Sequence, residues 1–329
     1  MTRPIHDFRL LRPQSVDAVI EARSMHENSR IVAGGTDLIV NLRRGIGRPS
    51  VLISLDGVEE IGQTFVSPDG ARIGSGVTIA AVLADRELAA KFPALAAAAM
   101  TIAGPSHRNL ATVGGNLCLD TRCIYYNQSE WWRASNGYCL KHRGEVCHVA
   151  PQGDRCHAVF SGDLAPALLV HGAEVELAGS GGRRRMPLAD LYREDGRAHL
   201  TLADDEILVG VHLKHESLRS GYAKVRTRKA MDFPLAGVAV ALDGNVGALR
   251  ALRVALTGTN SCPVLLQGTD ELLGKPVDEA LLKSIDKLVQ RQAQPVRTTL
   301  ASANYRRLAA AGLARRLTDS LATGNASVS

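Results

Sequence analysis

The sequence predicts an α+β protein of more than one domain, and three observations carry the prediction. Strand-like segments crowd together late in the chain, "EILVGVHL", "YAKVRTR", "GVAVAL" and "ALRALRVALTG", the last two joined by the turn "DGNVG". Two amphipathic helices then close the chain, and in the second Leu308, Leu313, Leu317 and Leu321 recur at roughly helical spacing as an apolar stripe. Earlier, short strands, glycine turns and helices alternate instead, and 329 residues leave room for two or three cores.

Taken in order, "RIVAGGTDLIVNLRRG" (Arg30 to Gly45) predicts a short strand, a glycine turn and a helical or extended segment, with "SVLISL" as a further buried strand. "ARIGSGVTIAAVLAD" predicts a strand running into a helix, and "FPALAAAAMTIAG" a buried helix after Pro93. "ATVGGNLCLD" reads as a second strand-and-glycine element. Regular structure resumes with "VFSGDLAPALLVHGAEVELAG", a helix followed by a strand. "GSGGRRR" (Gly179 to Arg185) has the composition of a linker and places a domain boundary there. The expected units are residues 1–180, divided at about 56/57, and residues 181–329.

Composition excludes several classes. Hydrophobic residues make up 45% and charged residues 22% of the chain, ordinary values for a globular protein. "MTRPIHDFRLLRP" carries charges where a secretion signal has its apolar core. The alanine-rich run is too short for a bilayer, which needs ~20 apolar residues. A cytoplasmic location is therefore expected, where structural disulfides are rare. The net charge of +6 gathers in "RRR" (Arg183 to Arg185), at Arg306 and Arg307, and at Arg315 and Arg316. These read as solvated faces; the sharper reading is a docking surface for an acidic protein. No nucleic-acid module accompanies the charge.

Two glycine pairs are candidate ligand loops: "AGGTDL" (Ala33 to Leu38) and "TVGGNL" (Thr112 to Leu117). A glycine pair between strand and helix lets the backbone approach a ligand and leaves N–H groups pointing outward, which suits phosphate. Neither loop is a Rossmann or P-loop motif. Two such loops, each followed by short polar side chains (Thr36 and Asp37; Asn116), suggest a dinucleotide.

"VAGGTDL", "ATVGGNL", "GDLAPALL" and "YAKVRTRKAMDFPLAGVAVAL" together resemble the FAD-binding medium subunit of the xanthine dehydrogenase and carbon monoxide dehydrogenase family of molybdenum hydroxylases, in the family's order over nearly the whole chain. The resemblance implies a two-part FAD-binding domain that is not a Rossmann fold, plus a C-terminal flavoprotein domain of small antiparallel sheet and helices. Carried over by position, Val32, Ala33, Gly34, Gly35, Thr36, Asp37 and Leu38 wrap the FAD pyrophosphate. Gly114, Gly115 and Asn116 form the second FAD loop, with Ile102 and Thr112 lining the cleft. Asp163 binds ribityl or ribose hydroxyls, and Lys224 lies near the flavin ring. The competing readings are an N-cap for Asp163 and a strand's solvent face for Lys224.

Between Asn116 and Asp163 lie 46 residues, where the family has a short connection, so about 118–160 is an insertion. It holds four of six cysteines, spaced Cys123-x15-Cys139-x7-Cys147-x8-Cys156, and both tryptophans. A long loop inside a compact domain is usually functional or disordered, and aromatics and cysteines argue against disorder. Structural zinc sites pair their ligands more closely than this, disulfides suit the wrong compartment, and a [4Fe–4S] cluster takes four cysteines without needing the dense ferredoxin spacing. On spacing alone zinc and iron–sulfur stay unresolved, with His142, His148 and His157 keeping a mixed zinc site open.

The stretch "CIYYNQSEWWRASNGYCLKHRGEVCHV" is similar to the cluster loop of one subfamily, the beta subunits of 4-hydroxybenzoyl-CoA reductases. That resemblance implies a [4Fe–4S] cluster on Cys123, Cys139, Cys147 and Cys156, with Tyr125, Tyr126, Trp131, Trp132 and Tyr138 packing the loop's own core. Cys118 and Cys262 are read as inert. It also implies partners: a large molybdopterin subunit and a small subunit with two [2Fe–2S] clusters, as a dimer of heterotrimers, with ferredoxin as electron donor. No catalytic acid or base is evident, so the chain is expected to relay electrons from [4Fe–4S] to FAD and onward without touching substrate.

Overall fold

The computed structural model describes residues 6–324; the first residues of the N-terminal stretch read for a secretion signal lie outside them. Three sheets follow one another along the chain. The first is parallel, in the order β1-β3-β2, with β1 at Arg9–Leu11, β2 at Ser29–Val32 and β3 at Val51–Ser54. Helices α1 (Val16–Met25, capped by Ser15) and α2 (Leu38–Arg43) make its crossovers.

The second sheet is antiparallel, in the order β4-β5-β8-β6-β7: β4 Thr64–Ser67, β5 Gly70–Gly74, β6 Glu174–Gly179, β7 Gly182–Pro187 and β8 Ile207–Lys214. Between β5 and β6 run seven short helices: α3 Ile79–Ala84, α4 Arg86–Lys91, α5 Pro93–Thr101, α6 Pro105–Arg108, α7 Val113–Leu117, α8 Glu130–Ser135 and α9 Leu164–Val170. Every residue of α9 is buried, as its unbroken apolar sequence LAPALLV requires of a helix with no polar face.

The third sheet is antiparallel, in the order β12-β11-β10-β9, with β9 at Arg219–Val225, β10 at Ala236–Gly244, β11 at Leu249–Thr257 and β12 at Val264–Leu265. Strand alternation divides β10 between two cores. Val238, Val240 and Leu242 face α10 (Glu279–Gln292) and α11 (Ala303–Thr323), while the smaller Ala239 and Ala241 face α5 and α9. The C-terminal domain thus packs directly onto α5 and α9 of the domain that carries the glycine loops.

Three expectations change. "GSGGRRR" is no linker: Gly179 pairs with Gly182, so it turns a hairpin, and "EILVGVHL" is β8, inside the second sheet between β5 and β6. The passage to the last sheet comes between Lys214 and Arg219. "ATVGGNL" forms the short helix α7 in place of a strand, because the Thr112 hydroxyl accepts from Gly115 N–H at 3.1 Å and caps it. In the terminal stripe Leu313 and Leu317 are buried, but Leu308 is 49% exposed. Among the described residues no helix is long and apolar enough to cross a membrane.

Candidate functional site

The two glycine loops touch. A Cβ on Gly34 would stand 1.7 Å from the Leu110 carbonyl oxygen, so only glycine allows this approach, and Gly35 has φ +68°, the left-handed region that also favours glycine. Among the described residues, the N–H groups of Gly34, Gly35, Thr36 and Asp37 donate to no acceptor. They form a cradle of free donors after β2, and that suits a diphosphate. The second loop is built differently from the expectation of outward-pointing N–H groups. Gly114 N–H donates to the Ser75 carbonyl (2.7 Å), Val113 N–H to Val77 (2.9 Å) and Gly115 N–H to Thr112 Oγ1, so this loop buttresses the first. Ile102 sits in the adjoining core at the end of α5, its carbonyl held by Arg108 at 3.1 Å.

The capping role that competed for Asp163 falls to Asn116. Asn116 Oδ1 accepts from Leu164 N–H at 3.0 Å and caps α9, so the Asp163 carboxylate, although beside that helix start, is free for other partners. Asp163 is buried, and it accepts from the Tyr222 hydroxyl (2.5 Å) and from Lys224 Nζ (3.1 Å to each oxygen). Lys224 is buried too and also donates to the Asp232 carbonyl at 3.2 Å, so it is not a solvent-facing strand residue. Burial pushes the Asp163 carboxyl up and the Lys224 ammonium down, each opposed by its partner's charge. The pair joins α9 to β9, one domain to the next. Tyr222 was not anticipated; its position two residues before Lys224 on one strand, hence the same face, is the signal that finds it.

The cysteine stretch is a closed excursion. Arg122 and Val159 exchange backbone hydrogen bonds at 2.9 and 2.7 Å and pin its neck. Inside, Ser129 caps α8, and the buried Arg133 donates to the Tyr126 carbonyl (3.1 Å), the Gly45 carbonyl (2.9 Å) and Glu130 Oε2 (2.5 Å). Gly45 follows α2, so the loop rests on the helix that leads away from the first glycine loop. The small core is Ile46, Tyr126 and Cys139 with Cys123 against it. Tyr125 packs on Trp132 and His148, and Tyr138 on His142. Trp131, expected in that core, is 72% exposed.

All four cysteines of the stretch are free; Cys139, Cys147 and Cys156 are buried. Tyr126 N–H donates to Cys123 Sγ (3.3 Å) and Ala158 N–H to Cys156 Sγ (3.4 Å). Burial pushes the Cys123 thiol up, the two backbone donors at Tyr126 and Tyr125 oppose that, and Cys139 and Cys147 add to it. Burial likewise pushes Cys156 up to about 11, with Cys147 and Cys123 contributing and Lys141 opposing. Cys123 is therefore within electrostatic reach of the other three thiols. Among the described residues, no three His, Cys, Asp or Glu side chains converge as one metal ion requires. A zinc site needs its sulfurs all ~2.3 Å from one centre, whereas a four-iron cluster puts each cysteine on a different iron and the sulfurs farther apart. Four free thiols in one closed loop, two of them accepting a backbone N–H, are the donor type and number that a four-iron cluster takes.

Outside the stretch, burial pushes the Cys118 thiol up to about 12, and Cys262 donates to Glu194 Oε2 at 2.8 Å. The arginine clusters are mostly paired. Arg183 binds Glu60 and Glu176, Arg184 binds Glu206, and Arg315 binds Glu279 and Asp286. Arg306 is buried and donates to the carbonyls of Leu235, Val296 and Gly258.

Residues 6–214 match the FAD binding domain in molybdopterin dehydrogenase, and residues 221–321 match the CO dehydrogenase flavoprotein C-terminal domain. The chain belongs to this FAD-binding family of molybdopterin dehydrogenases. It is 27% identical over 283 residues to the xanthine dehydrogenase FAD-binding subunit of Escherichia coli O157:H7, covering 84% of this chain and 83% of that one. It is 25% identical over 313 residues, 94% of each chain, to the carbon monoxide dehydrogenase medium chain of Afipia carboxidovorans. A chain of the cyanide-inactivated Cu,Mo-CO dehydrogenase crystal structure superposes with a TM-score of 0.79 at 22% identity, over 98% of this chain and 100% of that one.

Proposed function

We propose that this chain is the FAD- and [4Fe–4S]-carrying electron-transfer subunit of a molybdenum enzyme that reductively dehydroxylates 4-hydroxybenzoyl-CoA. The reaction consumes two electrons and two protons and gives benzoyl-CoA and water; a reduced ferredoxin is the donor. The observation that carries the reading is the clasped loop between Arg122 and Val159, which bears four free thiols and whose Arg122 stands 3.9 Å from Asp37 of the first glycine loop. The cluster is a one-electron carrier and the flavin exchanges electrons singly or in pairs, so together they connect a one-electron donor to a two-electron reduction.

In this reading Val32 to Leu38 hold the FAD diphosphate through the free N–H groups of the first loop. Thr112, Gly114, Gly115 and Asn116, with Ile102, shape the cleft wall. Asp163 and Lys224, fixed on each other and on Tyr222, present a preorganised charge pair to the cofactor's polar part. Cys123, Cys139, Cys147 and Cys156 hold the cluster. The substrate site, the molybdopterin and two [2Fe–2S] clusters belong to large and small partner subunits in a dimer of heterotrimers in the cytoplasm. That the chain is a subunit of such an assembly is supported by its relatives, which are named as FAD-binding and medium subunits.

A second reading, an oxidative hydroxylase or dehydrogenase acting on another aromatic or heterocyclic substrate, is favoured by the oxidative relatives. Anaerobic iron, sulfide, zinc and flavin analysis comes first, followed by turnover of the isolated complex with reduced ferredoxin or NAD(P)H. About four iron and four sulfide per FAD and reduction of 4-hydroxybenzoyl-CoA by ferredoxin are expected. Zinc in place of iron refutes the cluster, and turnover driven equally by NAD(P)H refutes the ferredoxin role.

A further inference from the structure

One side chain gathers the segments that bear the thiols. Lys141 lies two residues after Cys139, its side chain 6% exposed, and Nζ donates to Thr121 Oγ1 (2.5 Å), Asp120 Oδ1 (2.8 Å) and the Gly196 carbonyl (2.6 Å). An ammonium has three hydrogens, and each has its acceptor. Those acceptors lead to the other thiols: Thr121 stands two residues before Cys123, and Gly196 N–H donates to the Cys156 carbonyl at 2.8 Å. Nζ is also 5.2 Å from the centre of the Tyr126 ring, whose backbone N–H donates to Cys123 Sγ. Asp120 is the counter-charge; it is 40% exposed on its side chain and also stands 3.6 Å from Arg122. The cation is therefore the buried member of the pair, and the carboxylate is nearer solvent.

We propose that Lys141 is the positioning residue of the thiol site: it holds the Cys123, Cys139 and Cys156 segments in one arrangement and places a buried positive charge among those segments that favours uptake of an electron by the iron–sulfur group they bind. This rests on the cluster assignment above. Reduction adds one negative charge to a cluster held by four thiolates, and a buried cation on the segments that carry those thiolates stabilises the reduced form over the oxidised one. A neutral side chain in its place removes that charge, so the midpoint falls even where the segments stay together. The charge of Asp120 acts in the opposite sense, and that contrast separates tuning from scaffolding.

The test uses the full chain, isolated anaerobically in its native assembly, as wild type, Lys141→Arg, Lys141→Met and Asp120→Asn. Iron and sulfide are counted, and the reduced-cluster spectrum is followed by electron paramagnetic resonance during titration with dithionite. Lys141→Arg is expected to keep iron. Lys141→Met is expected to shift the midpoint negative, a tenfold fall in the reduced-to-oxidised ratio corresponding to ~59 mV for one electron. Asp120→Asn is expected to shift it positive. Loss of iron in Lys141→Met with retention in Lys141→Arg supports the holding role, and the Asp120→Asn shift then decides the electrostatic one. Iron-replete Lys141→Met and Asp120→Asn at the wild-type potential overturn the proposal while leaving the cluster in place. A wild type without iron overturns the cluster reading itself.

Discussion

Between Arg122 and Val159 the buried apolar cluster is Ile46, Tyr126 and Cys139, and Ile46 comes from outside the loop. The C-terminal domain, seated on α5 and α9, buries Val238, Val240, Leu242, Leu252, Ile285, Leu313 and many others in one continuous core. Each fully buried aliphatic side chain there is worth roughly 1.5–3 kcal/mol. The thiol loop relies instead on polar contacts such as those of Arg133 and Lys141, each worth a net ~1 kcal/mol, against an ordering cost of about 1–2 kcal/mol per residue for the backbone alone. A segment so poor in apolar burial gains most from a cross-link, and the proposed cluster on its four thiols would be one. The binding energy of that cluster would then be the loop's folding energy.

The largest effect expected follows directly. Removing iron with a chelator, or changing Cys147→Ser, should release the loop: amides in 123–158 should exchange with little protection and trypsin should cut at the exposed Arg143, while residues 219–323 stay protected. Hydrogen exchange read by mass spectrometry checks it, and a loop that stays protected without metal would break the comparison. The converse change is Leu313→Ala. Leu313 is 2% exposed in the C-terminal core, so about 2–5 kcal/mol of stability should be lost there, seen as a lowered denaturation midpoint. Iron content should not change.

A third test lies where the C-terminal domain is seated. His171, at the end of α9, is buried against Phe92, its Nε2 is 3.1 Å from Ser220 Oγ, and its Nδ1 has no partner. Burial pushes its pKa down to about 4 from an unperturbed value near 6.5. The unfolded chain therefore binds the proton first. The stability contribution is fully present above about pH 6.5 and is lost as pH falls toward 4, by at most roughly 3 kcal/mol. Denaturation midpoints of His171→Gln should show a flatter acid dependence in that window, and an unchanged slope would exclude His171 as its source.

How much of this was legible beforehand differs between the regions for the same physical reason. The strands of the last sheet could be read because their alternation reports a two-sided core, and α10 because one face is apolar. The four thiols could be read from composition and insertion length. The hairpin at Gly179 and Gly182 could not, because a turn and a linker share a composition and only the distant partner β8 tells them apart. The helix at Val113–Leu117 depends on a hydroxyl cap and on anchoring to Ser75 and Val77, neither visible in a glycine pair. The Asp163–Tyr222–Lys224 contact and the grasp of Lys141 join residues remote in sequence, and a polar contact leaves no periodic trace.

The smallest effect expected is also the one that reports on the polar frame of the loop itself. Arg133 donates to the carbonyls of Tyr126 and Gly45 and to Glu130, and its guanidinium lies 5.6 Å from the Tyr126 ring centre. Arg133→Met keeps much of the side chain's bulk but leaves those carbonyls without a donor, a cost of about 1–3 kcal/mol. Because Gly45 is the loop's footing on α2, the loss should appear as faster exchange of loop amides and easier release of iron to a chelator, with the C-terminal melting transition unmoved. If that transition moved as well, the loop and the C-terminal domain would be a single cooperative unit, and the contrast between a cross-linked loop and an apolar core would not hold.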